Sequence, residues 1–290
     1  MLKLSNGELV VHLLDPAAAA DRPRLGLRYC WGGYIWQVHD RKAGPLLTGP
    51  EWPVPDPIPF NGQGLPESFR HAEFGTGRPL ILEDARGFII GVGDVARNMA
   101  GVLDVTTPCP WSVTTSRDAI EFCTEQSGNG YACQLTRRVA LRQRTVISST
   151  RLTNTGDRLL PLHWFAHPFF ALDDRLLTCG LPATWDMQPN EGYEFDDQRR
   201  LAFKRRFLHR DDGHFEQLIV DPATPLRAVL SHPKLTQLVF STDFVPDTCP
   251  VWGNSNTWSI EPYLVRDLPP GADHAWTLTY EFGPATDVTY

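Results

Sequence analysis

Two stretches of this sequence set a proton-transferring side chain among aromatic residues. His167 lies between Trp164, Phe165, Phe169 and Phe170, and Glu261 lies among Trp258, Ile260 and Tyr263. A histidine titrates at about pH 6.5 and a partly buried carboxylate above its usual range, so the two can exchange protons near neutral pH without metal or organic cofactor. Each has a plainer reading beside this one. His167 also fits a satisfied core histidine at a strand end, and Glu261 a strand-edge glutamate pairing with Arg266, since an unpaired charge among apolar neighbours is costly. His163, four residues before His167, falls on the same face of a strand by period two and is a candidate to line the same site. Arg70 suits a carboxylate or phosphate, because a guanidinium grips branched oxyanions bidentately. His71 is a candidate contact beside it. Asp212 stands next to Asp211 in a polar turn, where aspartates commonly serve local hydrogen bonding, and is read as a further candidate substrate contact.

The elements that would hold these groups read as strands. Trp276-Thr277-Leu278-Thr279-Tyr280-Glu281-Phe282 alternates strictly between apolar and polar, the mark of a half-buried strand. Similar short segments occur at Leu9 to Leu14, Ala119 to Cys123, Gln134 to Leu141, Thr145 to Thr153 and Thr236 to Thr242, divided by Gly, Pro, Asn and Asp clusters. The only alanine run, Ala17 to Ala20, is bounded by Pro16 and Pro23 and has room for one or two helical turns. The prediction is an all-β chain whose antiparallel strands form two packed sheets or a barrel, which periodicity alone does not separate. Prolines and glycines are spread along the whole length, so residues 1–290 are read as one domain. The proline-rich stretch Gly49 to Gly64 reads as a long ordered loop, the kind of element that carries function on a rigid sheet.

Composition narrows the function classes. At 42% hydrophobic and 21% charged residues the chain is ordinary for a globular protein, which argues against disorder and against a membrane protein. A formal charge of −7 supplies no basic field for a phosphate backbone or an anionic lipid surface, so neither nucleic acid nor membrane is expected as a partner. The N-terminus lacks the apolar core of a signal peptide, and six cysteines without a CxxC pair fit reduced thiols. A cytoplasmic monomer or homodimer is the expectation. Gly62-x-Gly64 and Gly91-x-Gly93 lack the strand-to-helix setting of a dinucleotide loop, and His209 with His214 has no confirming third metal motif. No cofactor and no metal are therefore expected.

The segment Asn154-Thr155-Gly156 through Pro161 to His167-Pro168-Phe169-Phe170 resembles the aldose 1-epimerase (galactose mutarotase-like) family. There an Asn-x-Gly turn leads through a proline to a strand closing on His-Pro-aromatic-Phe. Trp258-Ser259-Ile260-Glu261-Pro262-Tyr263 is similar to that family's Glu-Pro segment, and Leu268-Pro269-Pro270-Gly271 to its Leu-x-Pro-Gly turn. Asp212-Gly213-His214-Phe215 is similar to its Asp-x-x-Phe. Together these cover about residues 110 to 283. The resemblance implies a large antiparallel β-sandwich of the galactose mutarotase-like supersandwich type. It also implies an isomerase that interconverts sugar anomers, with His167 as general acid on the ring oxygen, Glu261 as general base on the anomeric hydroxyl, and Asp212 on sugar hydroxyls. The expected ligand is a small carbohydrate, either a sugar or a sugar phosphate. On this reading His167 and Glu261 stand on opposite sides of a sugar-sized cleft. Two departures stand out. The family's Leu-His-Gly-Gly segment is absent, leaving Arg70 or His71 in its place, and the interval from Glu261 to the Pro-Gly turn is short. Both permit an alternative, a non-catalytic carbohydrate-binding or regulatory protein on the same sandwich.

Overall fold

The computed structural model describes residues 1–70, 86–174 and 176–286. Its centre is a ten-stranded antiparallel sheet in which Asp273–Phe282 lies between Thr145–Asn154 and Leu235–Thr242. The alternation read from Trp276 onward is what makes this central position stable. Trp276, Leu278, Tyr280 and Phe282 all point into the core, and the threonines between them face the other side. Cross-strand pairing adds to this on the inner face, where Tyr280 opposes Phe240 and their rings stack 4.8 Å apart, 5° from parallel. Every strand expected from alternation is present, most of them longer than the sequence pattern alone marked.

Four smaller antiparallel sheets complete the architecture, and two of them carry the strands that lead to His167 and Glu261. One has Leu160–Ala166 in its middle, flanked by Glu67–Phe69 and Tyr263–Leu268. It packs on the ten-stranded sheet through Trp276, whose ring contacts Trp164 at 5.1 Å and Phe69 at 6.2 Å. The other holds His214–Ile219, Cys249–Gly253 and Trp258–Ile260 in succession. Among the described residues the only helical element is a 3-10 turn at Arg22–Arg24, and the alanine run before it forms turns. No helix is long and apolar enough to cross a membrane.

The family-like motifs are largely the hinges that tie these sheets together. Asn154 is fully buried, and its side-chain amide donates to the carbonyls of Arg158 and Leu268, while its Oδ1 accepts from the Gly156 amide. The Leu-Pro-Pro-Gly turn closes onto the same residue, since Gly271, at φ +75°, donates to the Asn154 carbonyl. Phe170 and Trp258 exchange backbone hydrogen bonds of 2.8 and 3.1 Å. That bridge locks the segment after His167 to the segment before Glu261.

The core also holds a buried ion pair. Glu67 and Arg137, 2% and 1% exposed, are in direct contact. Arg137 also donates to Thr150, Ser148 and the Gly32 carbonyl, and Ser148 donates to Glu67. The pair joins the sheet carrying Glu67–Phe69 to the ten-stranded sheet through charge-assisted bonds as well as aromatic packing.

Candidate active site

The sheets of Leu160–Ala166 and Trp258–Ile260 end side by side, and their ends form the floor of a cavity of about 850 Å³. His167 follows the strand Leu160–Ala166 and is fixed by its amide, which donates to the Pro66 carbonyl at 2.9 Å. Glu261 follows Trp258–Ile260, and its amide donates to the Pro250 carbonyl at 2.9 Å. Both side chains line the floor and are almost fully buried, at 3% and 5% exposure. His167 Nε2 lies 3.3 Å from Glu261 Oε1, and its Nδ1 lies 3.1 Å from Ser259 Oγ. Phe169 packs against the imidazole at 4.5 Å, and Tyr29 and Trp252 meet it edge-on at 6.0 and 6.4 Å.

The expectation of opposite sides of a cleft is corrected here, because the two groups touch. A ring cannot pass between them. Their adjacency nevertheless suits the proposed chemistry, since the anomeric hydroxyl and the ring oxygen of a sugar are bonded to one carbon. The groups serving those two oxygens can themselves be neighbours. The pairing of Glu261 with Arg266 is also not found, for Arg266 holds Asp247 at 2.8 Å.

Burial sets the electrostatics of the pair. It pushes the Glu261 carboxyl up to about 7, against the opposing pull of Arg28 and Arg70. It drives His167 well below its ordinary value, and the positive charge of Arg28 adds to that. The directions agree on one point, that a single proton shared by the pair rests on Glu261 while the imidazole is neutral. In that arrangement the carboxyl hydroxyl donates to Nε2 and Nδ1–H donates to Ser259.

Arg70 and Arg28 line the cavity beside the pair. Arg70 donates to the Tyr263 hydroxyl at 3.2 Å and lies over that ring, which in turn stacks on Phe165 at 4.6 Å. Arg28 donates to the Phe60 carbonyl at 3.1 Å and lies over the rings of Tyr29 and Phe60. Among the described residues no carboxylate forms a salt bridge with either guanidinium. Two cations held by aromatic faces, a hydroxyl and a carbonyl, and without a salt bridge to any described carboxylate, make this part of the floor suitable for electron-rich ligand oxygens.

The other sequence candidates are distributed differently. Asp212 does not line the cavity; it is held by two bonds from Arg205, at 2.8 and 2.6 Å, and accepts from the Leu208 amide. Those donors lower its carboxyl to about 2. Its neighbour Asp211 faces the cavity instead. Asp212→Asn is expected to leave sugar affinity within about twofold of wild type, as measured by titration, because the change falls in a surface turn. His163 sits half-buried with its ring against Tyr263 at 5.7 Å, off the cavity wall. His71 lies outside the described residues. Among the tryptophans, Trp252 lines the cavity, while Trp31, Trp36 and Trp185 are packed in the core.

The loop Gly49 to Gly64 does reach the cavity, lining its wall with Glu51, Ile58, Phe60 and Asn61. Glu51 organises it by accepting from the Ile58 amide and the Asn61 side chain. Arg28 was not legible in the sequence, since nothing in Gly26-Leu27-Arg28-Tyr29 distinguishes it from a solvated arginine. It becomes visible only through the loop that folds over it.

No family model and no curated protein matches this sequence. Solved structures match its fold along nearly the whole chain. A galactose mutarotase related enzyme from Lactobacillus acidophilus is 13% identical with a TM-score of 0.61, covering 99% of this chain and 98% of its own. A galactose mutarotase-like protein from Lactobacillus casei is 13% identical with a TM-score of 0.60, covering 97% and 99%. A galactose mutarotase-like protein from Clostridium acetobutylicum is 12% identical with a TM-score of 0.55, covering 97% and 94%. The all-β architecture described above is therefore the galactose mutarotase-like fold, as the motifs implied.

Proposed function

We propose that this galactose mutarotase-like chain interconverts the α and β anomers of a free sugar or sugar phosphate, with His167 and Glu261 handling the two protons. The observation that carries this reading is the contact of Nε2 with Oε1 at 3.3 Å on the buried floor of a large open cavity. Ring opening needs a proton to leave the anomeric hydroxyl while another reaches the ring oxygen, and closure reverses both. The resemblance assigns the first to Glu261 and the second to His167. Because burial favours the shared proton on Glu261, it must first pass from Oε1 to Nε2, leaving a carboxylate and an imidazolium. Arg70 favours that step, since its charge stabilises the Glu261 carboxylate. Arg28 favours the carboxylate too but opposes the imidazolium. The two guanidiniums on the cavity wall, neither in a salt bridge with a described carboxylate, support Arg70 and Arg28 as ligand contacts, and His71 is retained as a contact from the sequence. No metal or organic cofactor is needed for these transfers. We place the protein in the cytoplasm on its six free cysteines.

The direct test is anomer exchange by NMR on several aldoses and hexose phosphates. Exchange faster than buffer for at least one of them supports the enzyme. A sugar-dependent thermal shift without any exchange assigns the chain to the binding class instead. The pH dependence follows from the shared proton. Turnover requires one proton on the pair, so kcat/KM is expected to fall as pH rises through about 7, where Glu261 loses its proton. A second decline, on the acid side, comes only where His167 also protonates, well below its ordinary range. A profile that keeps rising above pH 8 contradicts a shared-proton mechanism.

A further inference from the structure

The cavity is larger than one sugar ring requires, and its outer part has a distinct character. At about 850 Å³ it lies near the upper end of the roughly 300–1,000 Å³ typical for sites that enclose drug-sized ligands. The floor residues His167 and Glu261 are buried, whereas Ile58, Phe60 and Phe215, which line the same cavity, are 59%, 46% and 57% exposed. Single exposed apolar residues need no explanation, but three around one mouth mark a binding surface. Phe215 is also not isolated from the floor. It is the cross-strand partner of Trp252, whose indole reaches His167 at 6.4 Å. An aromatic wall thus runs from the proton-transfer pair to the rim. Ile58 and Phe60 come from the loop, and Arg210 and Asp211 stand at the same opening as polar groups.

This arrangement fits a second sugar ring. A pyranose whose anomeric carbon meets the floor directs the opposite ring carbon, C4, toward the opening. A glycosyl unit attached there emerges at the rim, where apolar faces can stack on its C–H surface and charged side chains can reach its hydroxyls. We infer that the aromatic rim is a second sugar subsite, and that the preferred ligand is a reducing 4-linked disaccharide or longer glycan rather than a monosaccharide. The inference rests on the proposed reading that the reducing ring occupies the floor.

Calorimetric titration of the full chain with glucose, maltose and cellobiose tests it, with anomer exchange followed in parallel. At least one disaccharide is expected to bind about tenfold more tightly than glucose. Phe215→Ala and Ile58→Ser should each remove about threefold to tenfold of that affinity while leaving glucose binding unchanged. Both side chains are exposed, so the variants keep their fold. Disaccharides no tighter than glucose, or a preference that survives both substitutions, overturn the second subsite. Exchange of glucose without disaccharide preference removes the subsite and leaves the proposed function standing. A preference lost in Phe215→Ala, with no exchange of any sugar, upholds the subsite and removes the enzymatic reading. No binding of any of these sugars overturns the subsite outright.

Discussion

Glu261→Gln is expected to slow anomer exchange by about 10² to 10⁴-fold, the usual contribution of one positioned proton-transfer group, and at the same time to stabilise the fold in mildly alkaline solution. Both effects have one cause, the burial of a carboxyl whose folded-state pKa is raised to about 7. A carboxyl shifted in this direction is no burden below its unfolded pKa, where it is protonated in both states. As pH rises from there to about 7, the unfolded chain ionises while the folded one resists, and stability is lost across that window. Above it the full cost persists, on the order of 3–4 kcal/mol. Glutamine cannot ionise, so the variant should melt higher than wild type at pH 8 and close to it at pH 4. Thermal unfolding at the two pH values, beside NMR exchange, measures both halves. His167→Asn should lose exchange to a similar degree without the alkaline gain. Should both variants exchange at the wild-type rate, His167 and Glu261 are not the groups that move the protons.

Glu67→Ala is expected to destabilise the protein by about 3–5 kcal/mol, because it leaves the Arg137 guanidinium buried without its counter-charge. Arg137 is 1% exposed, so water cannot replace the lost carboxylate, and its remaining bonds to Thr150, Ser148 and Gly32 do not neutralise it. Urea unfolding reads the loss directly. A double replacement, Glu67→Leu with Arg137→Met, removes both charges and should recover most of the stability, since a buried pair is often matched by apolar packing of similar volume. A cost below about 1 kcal/mol for Glu67→Ala would mean that the pair does not hold the sheets together. The site would register the change as well, for Pro66, next to Glu67, accepts the hydrogen bond from the His167 amide.

Much of this molecule was legible from residue order alone. Strands with one face in the core announce themselves because the side-chain period is two, and Trp276 to Phe282 shows that period without interruption. His167 and Glu261 were legible too, as polar groups embedded among aromatics where burial would have to be justified by a partner. Asp212 misled for the opposite reason. An aspartate in a polar turn has abundant local donors, and here Arg205, seven residues away, satisfies it without any ligand. Arg28 escaped notice because the partners that hold it at the cavity, Phe60 above all, come from a loop some thirty residues away.

The sequence by itself determined the all-β class, the central alternating strand, the aromatic setting of His167 and Glu261, and the loop that would reach the site. Each follows from neighbours along the chain, where periodicity, turn residues and local polarity operate. Tertiary structure alone decided that the histidine and the glutamate touch rather than face each other across a ring. That contact depends on the bridge between Phe170 and Trp258, which brings together segments almost ninety residues apart. Tertiary structure also decided which charges pair with which. Salt-bridge partners are chosen by proximity in space after the sheets have stacked, so Arg205 finds Asp212 and Arg266 finds Asp247, while Arg28 and Arg70 form no salt bridge to a described carboxylate.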